Sequence, residues 1–147
     1  MKLYTIGFTQ KSAREFFNKI KNNNIDLLID IRLNNVSQLA GFAKGKDLEY
    51  FLKEICNCEY AHDDVFAPTK ELLDNYRVNK VSWKEYENVF AKIMANRQIE
   101  ERFKKLYKNY ENVCLLCTEP TAEQCHRRLV AEYLQKHCGE NIEIIHI

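Results

Sequence analysis

Short apolar runs alternate with amphipathic segments along the whole chain. Runs at residues 3–7, 27–31, 113–117 and 142–147 predict strands, and Glu59–His62 predicts a further one. Residues 113–117 are apolar at every position, which is typical of a strand buried on both faces of a parallel sheet. We therefore expect this strand to lie in the interior of a sheet rather than at its edge.

Helix-start signals lie between these runs. Ser12, Ser82 and Thr121 each stand three residues before a Glu or Gln, which is the capping-box pattern, and each precedes an apolar-periodic segment. The pattern predicts helices after all three residues. Further helices are predicted at residues 48–55, 99–110 and, in a shorter segment, 70–76. Residues 34–46 contain two glycines and few core residues, and are interpreted as a loop.

Strands that alternate with helices predict an α/β fold. We expect a layered domain with a mainly parallel central sheet of about five strands and helices on both faces. A length of 147 residues suits one domain that spans residues 1–147 and buries a core of ordinary size.

Composition and charge narrow the class of protein. Apolar residues make up 46% of the chain, which argues against disorder, and the net charge of +1 gives no overall basic footprint for nucleic acid. No apolar run approaches the ~20 residues that span a bilayer, and the N-terminus has no signal-peptide pattern. We therefore expect no membrane association, a cytoplasmic location and six reduced cysteines.

Chemically useful side chains follow the predicted strands. Thr9 follows the first strand, Asp30 and Arg32 end the second, Cys117 and Glu119 follow the 113–117 strand, and His146 ends the last. In open α/β sheets, ligands bind beyond the carboxyl ends of the strands. A helix N-terminus after Thr121 would add free N–H groups for an anion at the same edge.

Two adjacent arginines, Arg127 and Arg128, are predicted to lie on different sides of the same helix. Arg128 stands four residues before Glu132, which predicts an exposed ion pair. Arg127 points toward the protein in the same helix, where it can hold an anion or pair with a carboxylate such as Asp30 or Glu119. A purely structural salt bridge is the alternative. Because a buried Asp30 needs a partner, Arg32 or Arg127 is expected to supply one.

The cysteines and His126 leave several roles open. Cys114 and Cys117 form C-x-x-C, but residues three apart in a strand point to opposite faces and should not share a metal. Cys125, near the helix start, is either a reactive thiol or a small core residue, and His126 is either a base or ligand or a satisfied core group. A metal site from Cys117, Glu119, Cys125 and His126 ranks last, because adjacent helical residues diverge by ~100°.

These motifs together resemble a known family. Thr5-Ile6-Gly7-Phe8-Thr9, Asp30-Ile31-Arg32, Cys117-Thr118-Glu119 with Cys125-His126-Arg127, and the closing Ile145-His146-Ile147 are similar to the domain of unknown function 488 family. The common form of that family has a proline and an S-R pair after D-x-R. Here the proline is absent and Gln38 stands in place of the arginine, so an anion held by that arginine would have to be held differently.

The resemblance implies which positions matter and supplies no reaction. The implied positions are Gly7, Asp30, Arg32, Cys117, Glu119, Cys125, His126, Arg127 and His146. They agree with the residues found from the strand ends.

Three function hypotheses follow. The first is a protein that binds a phosphate-bearing small molecule such as a nucleotide, as a hydrolase or group-transfer enzyme. In it Arg32 and Arg127 hold the anion, Glu119 or Asp30 acts as acid or base, and Cys117 is a nucleophile or a polar wall. The remaining ligand-site candidates are Gly7, Thr9, His126 and His146. The second is a nucleic-acid-binding or regulatory module without chemistry, which uses the same pocket or a local basic patch such as Lys44, Lys46 and Lys53. The third is the metal-binding protein, and no cofactor is specified by any of the three.

Overall fold

The computed structural model of the chain describes residues 1–36, 40–139 and 141–147. Gln38, at the position where the chain departs from the common family pattern, lies outside the described residues. At the centre of these residues is a five-stranded sheet in which every pair of neighbouring strands is parallel. The expected α/β architecture with a mainly parallel sheet of about five strands is thus confirmed.

The sheet follows the predicted strands closely. The strands are β1 (Lys2–Gly7), β2 (Leu27–Asp30), β3 (Glu59–His62), β4 (Asn112–Cys117) and β5 (Glu143–His146). Their order across the sheet is β3-β2-β4-β1-β5, so β4 is central, as its uninterrupted apolar sequence predicts. Parallel pairing brings the carboxyl ends of all five strands to one edge.

In the part of the chain that the structure describes, six α-helices surround the sheet. They are α1 (Ala13–Asn22), α2 (Gly45–Phe51), α3 (Lys70–Arg77), α4 (Trp83–Arg97), α5 (Ile99–Tyr107) and α6 (His126–His137). Within the described residues, none of them combines the length and the apolar composition that crossing a bilayer requires.

Successive residues of the strands point to opposite faces of the sheet and pack into two separate hydrophobic cores. Val113 and Leu115 of β4 face the cluster built with α3 to α6, whereas Cys114 and Leu116 face the cluster built with α1 and α2. Helices therefore cover both faces of the sheet. The opposite orientations of successive β4 residues also keep Cys114 apart from Cys117, as their spacing predicts.

Two of the three predicted capping boxes are present. The side chains of Ser12 and Ser82 accept from the backbone N–H of Glu15 and Glu85, and those acids accept from the serine N–H groups in return. Both contacts satisfy donors that a helix start leaves free. Helices α1 and α4 thus begin where the sequence predicts.

The third predicted helix start, at Thr121, is wrong. Residues 121–125 form bends and turns, and α6 begins at His126 with Cys125 as its N-cap. The Gln124 side-chain oxygen accepts from the Tyr76 hydroxyl at 3.1 Å and so does not close a capping box. The loop between β4 and α6 is consequently longer than predicted, and the free N–H groups of the helix start lie four residues further on.

The predicted loop at residues 34–46 is also partly structured. A 3₁₀ turn occupies Gly41–Ala43, and α2 begins at Gly45 instead of residue 48. After Phe51 the helix continues as a π-helical turn over Leu52–Cys56. The helix predicted at residues 48–55 is therefore present but starts earlier and changes its winding.

The β4–α6 loop lies directly over the end of β1. A Cβ atom added at Gly7 would lie 1.6 Å from the Glu119 carbonyl oxygen and 3.1 Å from Arg127 Nη1. Real side chains do not tolerate such distances, and the nearest obstacle is backbone rather than a flexible side chain. Glycine at position 7 is therefore what allows the loop to pack against the sheet.

We expect Gly7→Ala to lower the free energy of unfolding by about 3 kcal/mol, because the loop backbone must move to admit the methyl group. Gly41→Ala is the matched control, since a Cβ there meets nothing within 4 Å. It should change stability by less than about 0.5 kcal/mol. Urea unfolding of the two variants measures the difference. Equal midpoints for both variants would contradict the close approach at Gly7.

Candidate functional site

A cleft of about 610 Å³ opens at the carboxyl ends of β2 and β4. Of the residues singled out from the sequence, Arg32, Cys117, Glu119 and His126 line it. The wall also contains Cys125, Asn34, Pro68, Lys70, Asp74, Tyr76, Arg77, Trp83 and Tyr86. The side chains that follow two different strands thus share one concave surface, as the parallel topology requires.

Asp30 and Arg32 form a buried ion pair at one end of the cleft. The guanidinium donates from Nε to Asp30 Oδ1 at 2.8 Å and from Nη2 to Oδ2 at 2.6 Å. The Tyr60 hydroxyl donates to Oδ2 at 2.8 Å, and the Arg32 backbone N–H donates to Oδ1 at 3.2 Å. Both Asp30 oxygens are therefore occupied, and the expected partner of this buried carboxylate is Arg32 rather than Arg127.

Arg32 keeps one donor without a protein partner. Its Nη2 also donates to the Ala43 carbonyl at 2.7 Å, and its guanidinium carbon lies 5.1 Å from the centre of the Phe8 ring. Nη1 is buried and forms no hydrogen bond within the described residues. Arg32 therefore lines the cleft with one buried donor that no group of the described residues satisfies.

Cys117 and His126 face each other at the floor of the cleft. Cys117 ends β4 and His126 is the first residue of α6, and the distance between Cys117 Sγ and His126 Nδ1 is 3.3 Å. His126 Nε2 lies 2.9 Å from the Ile31 carbonyl oxygen, which can only accept. Nε2 therefore carries a proton, and in the neutral ring Nδ1 is free to accept the thiol proton of Cys117.

The surroundings of Cys117 favour its thiolate. Burial raises the pKa of the Cys117 thiol, but hydrogen bonds from the Cys125 thiol and from the backbone N–H groups of Thr118 and Glu119, together with the Arg127 charge, outweigh burial and lower this pKa overall. The hydrogen bond to the Cys117 sulfur and burial raise the pKa of Cys125 in turn. The two thiols therefore differ, with Cys117 the one whose ionisation the site favours.

Arg127 is buried beside these sulfurs and does not line the cleft. Its Nη1 donates to the Glu119 carbonyl at 2.6 Å and to Cys125 Sγ at 3.3 Å, and only 1% of the residue is exposed. Within the described residues no carboxylate forms an ion pair with it, and its Nε has no partner. The inward orientation agrees with the sequence, and of the two roles left open for Arg127 the pair with Asp30 or Glu119 is absent among the described residues. Arg128 pairs with Glu132 at 3.0 Å, as predicted.

Thr9 and His146 lie near the site but outside the cleft wall. Thr9 Oγ1 donates to the Thr118 carbonyl at 2.7 Å, which joins the exits of β1 and β4. His146 is exposed at the end of β5, and its Nδ1 lies 2.7 Å from Thr5 Oγ1. Partial burial and the Arg127 charge lower the pKa of His146. Both residues thus support neighbouring strands rather than face the cleft.

The proposed basic patch has carboxylates among its lysines. Lys46 and Lys53 line a separate hollow that also contains Glu49 and Glu59. Acidic side chains between the lysines weaken the attraction of such a surface for a phosphate backbone.

Sequence reasoning missed two parts of the site. The first is the contact of Cys125 with Cys117: the family resemblance implies that Cys125 matters, but the helix start predicted at Thr121 would place it in the first helical turn rather than beside the end of β4. Trp83 and Tyr86 stack at 4.9 Å between ring centroids with an interplanar angle of 15°, and both line the cleft. An aromatic residue after a capping box resembles ordinary core sequence, so no local signal distinguishes these rings.

All six cysteines lie in the described residues, and none forms a disulfide.

Comparison with known proteins identifies one family. The model described as Domain of unknown function DUF488 matches residues 12–134, which include Asp30-Ile31-Arg32 and the segment from Cys117 to Arg127. The resemblance stated from the sequence is thereby confirmed. No curated protein and no solved structure matched the chain.

We expect Asp30→Ala to lower the free energy of unfolding by about 3–5 kcal/mol, because it leaves the Arg32 guanidinium buried without its counter-charge. Asp74→Ala is the control, since Asp74 pairs with Lys70 at the surface. The Asp74 side chain is 46% exposed and the Lys70 side chain is 81% exposed. Removal of such a surface pair should cost no more than about 1 kcal/mol. Chemical denaturation of both variants provides the comparison, and similar losses in the two would show that the buried pair is not required.

Proposed function

The chain belongs to the family described as Domain of unknown function DUF488, and we propose that it is a thiol-dependent enzyme acting on a phosphate-bearing small molecule such as a nucleotide. The observation that carries the proposal is the 3.3 Å contact between Cys117 Sγ and His126 Nδ1 in a cleft that also contains Arg32. A thiol beside an imidazole whose second nitrogen is fixed by an acceptor is the arrangement that activates a cysteine nucleophile.

The first half of the reaction transfers the phosphoryl group to sulfur. His126 Nδ1 takes the Cys117 proton, and the thiolate attacks phosphorus to form an S–P bond. The P–O bond to the leaving group breaks, and the leaving oxygen takes the proton from the His126 imidazolium. The hydrogen bond from His126 Nε2 to the Ile31 carbonyl keeps the ring oriented during both proton transfers.

The second half releases the phosphoryl group to water or to another acceptor. Glu119 is an exposed carboxylate that lines the cleft, and it accepts a proton from the attacking water as the S–P bond breaks. The departing Cys117 thiolate then takes a proton from solvent, and Glu119 releases the proton of the attacking water to solvent, so that the starting state is restored. The Cys125 thiol and the N–H groups of Thr118 and Glu119 stabilise the sulfur as a leaving group. Water as acceptor makes the enzyme a hydrolase, and an alcohol as acceptor makes it a transferase.

Basic side chains support the choice of a phosphate-bearing substrate. Arg32 lines the cleft and its Nη1 has no partner among the described residues, and Lys70 and Arg77 line the same cleft. Guanidinium groups match the oxygens of a phosphate in a bidentate manner. The carboxylates of Asp74 and Glu119 are also present, so the cleft accepts a localised anion rather than a long polyanion.

The aromatic wall supports a substrate that carries a ring. Trp83 and Tyr86 both line the cleft and stack on each other, which leaves a broad apolar surface beside the basic residues. Nucleobases stack on such surfaces at ~1–3 kcal/mol per base. A nucleotide would therefore place its ring on this wall and its phosphate near Arg32 and Cys117.

The other candidate residues take supporting roles in this proposal. Asp30 holds Arg32 in position rather than acting as acid or base, because both of its oxygens are occupied. Arg127 positions the loop and the sulfurs rather than binding the substrate. The absence of a side chain at Gly7 leaves room for the β4–α6 loop. Thr9 and His146 form hydrogen bonds that connect neighbouring strands.

Turnover of a panel of nucleotides and of p-nitrophenyl phosphate tests the proposal. Cys117→Ser should abolish release of phosphate, and His126→Gln should reduce it by ~10²–10⁴-fold, because general acid–base catalysis is lost. Cys56→Ser, which changes a half-buried cysteine whose thiol donates to Phe17 on the far face of the sheet, should retain the wild-type rate. A wild-type protein that turns over no member of the panel, or a Cys117→Ser variant with full activity, would contradict the proposal.

A further inference from the structure

We propose that Cys117, Cys125 and His126 also form a binding site for one Zn²⁺ ion. Each residue offers one ligand atom, and the three atoms lie within 4.8 Å of one another at a buried position. Among the described residues, this is the one group of three or more potential ligands with such spacing. Two sulfurs and an imidazole nitrogen are the ligands that Zn²⁺ takes in three-residue sites, whereas Mg²⁺ and Ca²⁺ prefer oxygen.

The conformation of Cys125 makes this ligand set feasible. Two adjacent residues in a helix would point ~100° apart, which would separate the Cys125 sulfur from the His126 ring. Cys125 is instead the N-cap of α6 and is extended, with φ −133° and ψ 137°. Its sulfur therefore turns back toward the end of β4 while His126 starts the helix. The sequence-based argument against shared coordination by these residues does not hold in this fold.

The second layer of contacts suits a metal site. A ligating histidine commonly donates its other ring N–H to a carbonyl or carboxylate, and His126 Nε2 lies 2.9 Å from the Ile31 carbonyl oxygen. This contact leaves Nδ1, the atom nearest Cys117, free to coordinate. Arg127 Nη1 donates to Cys125 Sγ at 3.3 Å, so a positive charge lies next to the sulfurs that would carry negative charge.

Three protein ligands leave the fourth position of a tetrahedral zinc site for a small molecule. All three residues line the cleft, so water or a substrate can reach that position. Zinc would use both the Cys117 sulfur and the His126 Nδ1 lone pair, which the thiol reaction also requires. Zinc occupancy and nucleophilic attack by Cys117 therefore exclude each other. The zinc site stands on the ligand geometry, and its inhibitory effect rests on the proposed function.

Competition with a chromogenic zinc chelator tests the site on the untagged full-length chain. Metal-free wild-type protein should bind one Zn²⁺ per chain. Cys125→Ser and His126→Gln should weaken binding at least 100-fold. Cys56→Ser and His137→Gln, which change a cysteine and an exposed histidine outside the site, should bind as the wild type does. Circular dichroism confirms that each variant is folded, and Cys125→Ser retains an acceptor for Arg127.

Co²⁺ in place of Zn²⁺ gives a second readout that does not depend on activity. Thiolate-to-cobalt and tetrahedral d–d absorption bands should appear in the wild type and be lost in Cys125→Ser. No zinc binding by the wild type, or undiminished binding by folded Cys125→Ser, would overturn the zinc site. If zinc does not bind but Cys117 still supports turnover, the zinc site fails while the proposed function stands. If zinc binds without slowing turnover, the inhibitory role is overturned.

Discussion

The site depends on the Arg127 guanidinium, which is buried and has no counter-carboxylate among the described residues. Arg127 donates to the Glu119 carbonyl and to the Cys125 sulfur, and only Gly7 allows that carbonyl to lie against the end of β1. A buried charge is costly unless nearby groups satisfy it. The β4–α6 loop therefore folds around Arg127, which places Cys125 beside Cys117, and the positive charge in turn favours negative charge on the sulfurs.

This arrangement divides the site into a rigid support and an accessible surface. Asp30 fixes Arg32 with two short hydrogen bonds, and the Ile31 carbonyl fixes the ring of His126. Neither contact uses Arg32 Nη1 or the lone pair of His126 Nδ1. The groups that would meet a ligand are thus held in place by contacts that leave their reactive atoms available, which is the condition for preorganised binding.

The sequence predicts the sheet well because its signals are local and strong. The apolar run in β4 indicates a central parallel strand, and the parallel topology then places Asp30, Arg32, Cys117 and Glu119 at one edge. That residues 1–147 form a single domain stays a prediction.

The sequence predicts the β4–α6 loop poorly, because its course depends on contacts with residues far along the chain. Gln124 bonds to Tyr76, and the Glu119 carbonyl lies over Gly7, so the capping pattern at Thr121 does not decide the helix start. The role of Cys125 follows from that start and cannot be read from local periodicity. The same holds for the aromatic wall, since Trp83 reaches the cleft through the packing of α4.

Site-resolved alkylation of the native wild-type chain tests the central claim most directly, namely that Cys117 is a reactive thiol in a cleft that accepts anions. Neutral iodoacetamide and anionic iodoacetate are compared at Cys117, with half-buried Cys56 as internal reference. The account predicts that Cys117 reacts before Cys56, and that the rate ratio of iodoacetate to iodoacetamide is higher at Cys117. Faster labelling of Cys56, with Cys117 modified only after unfolding, would contradict it.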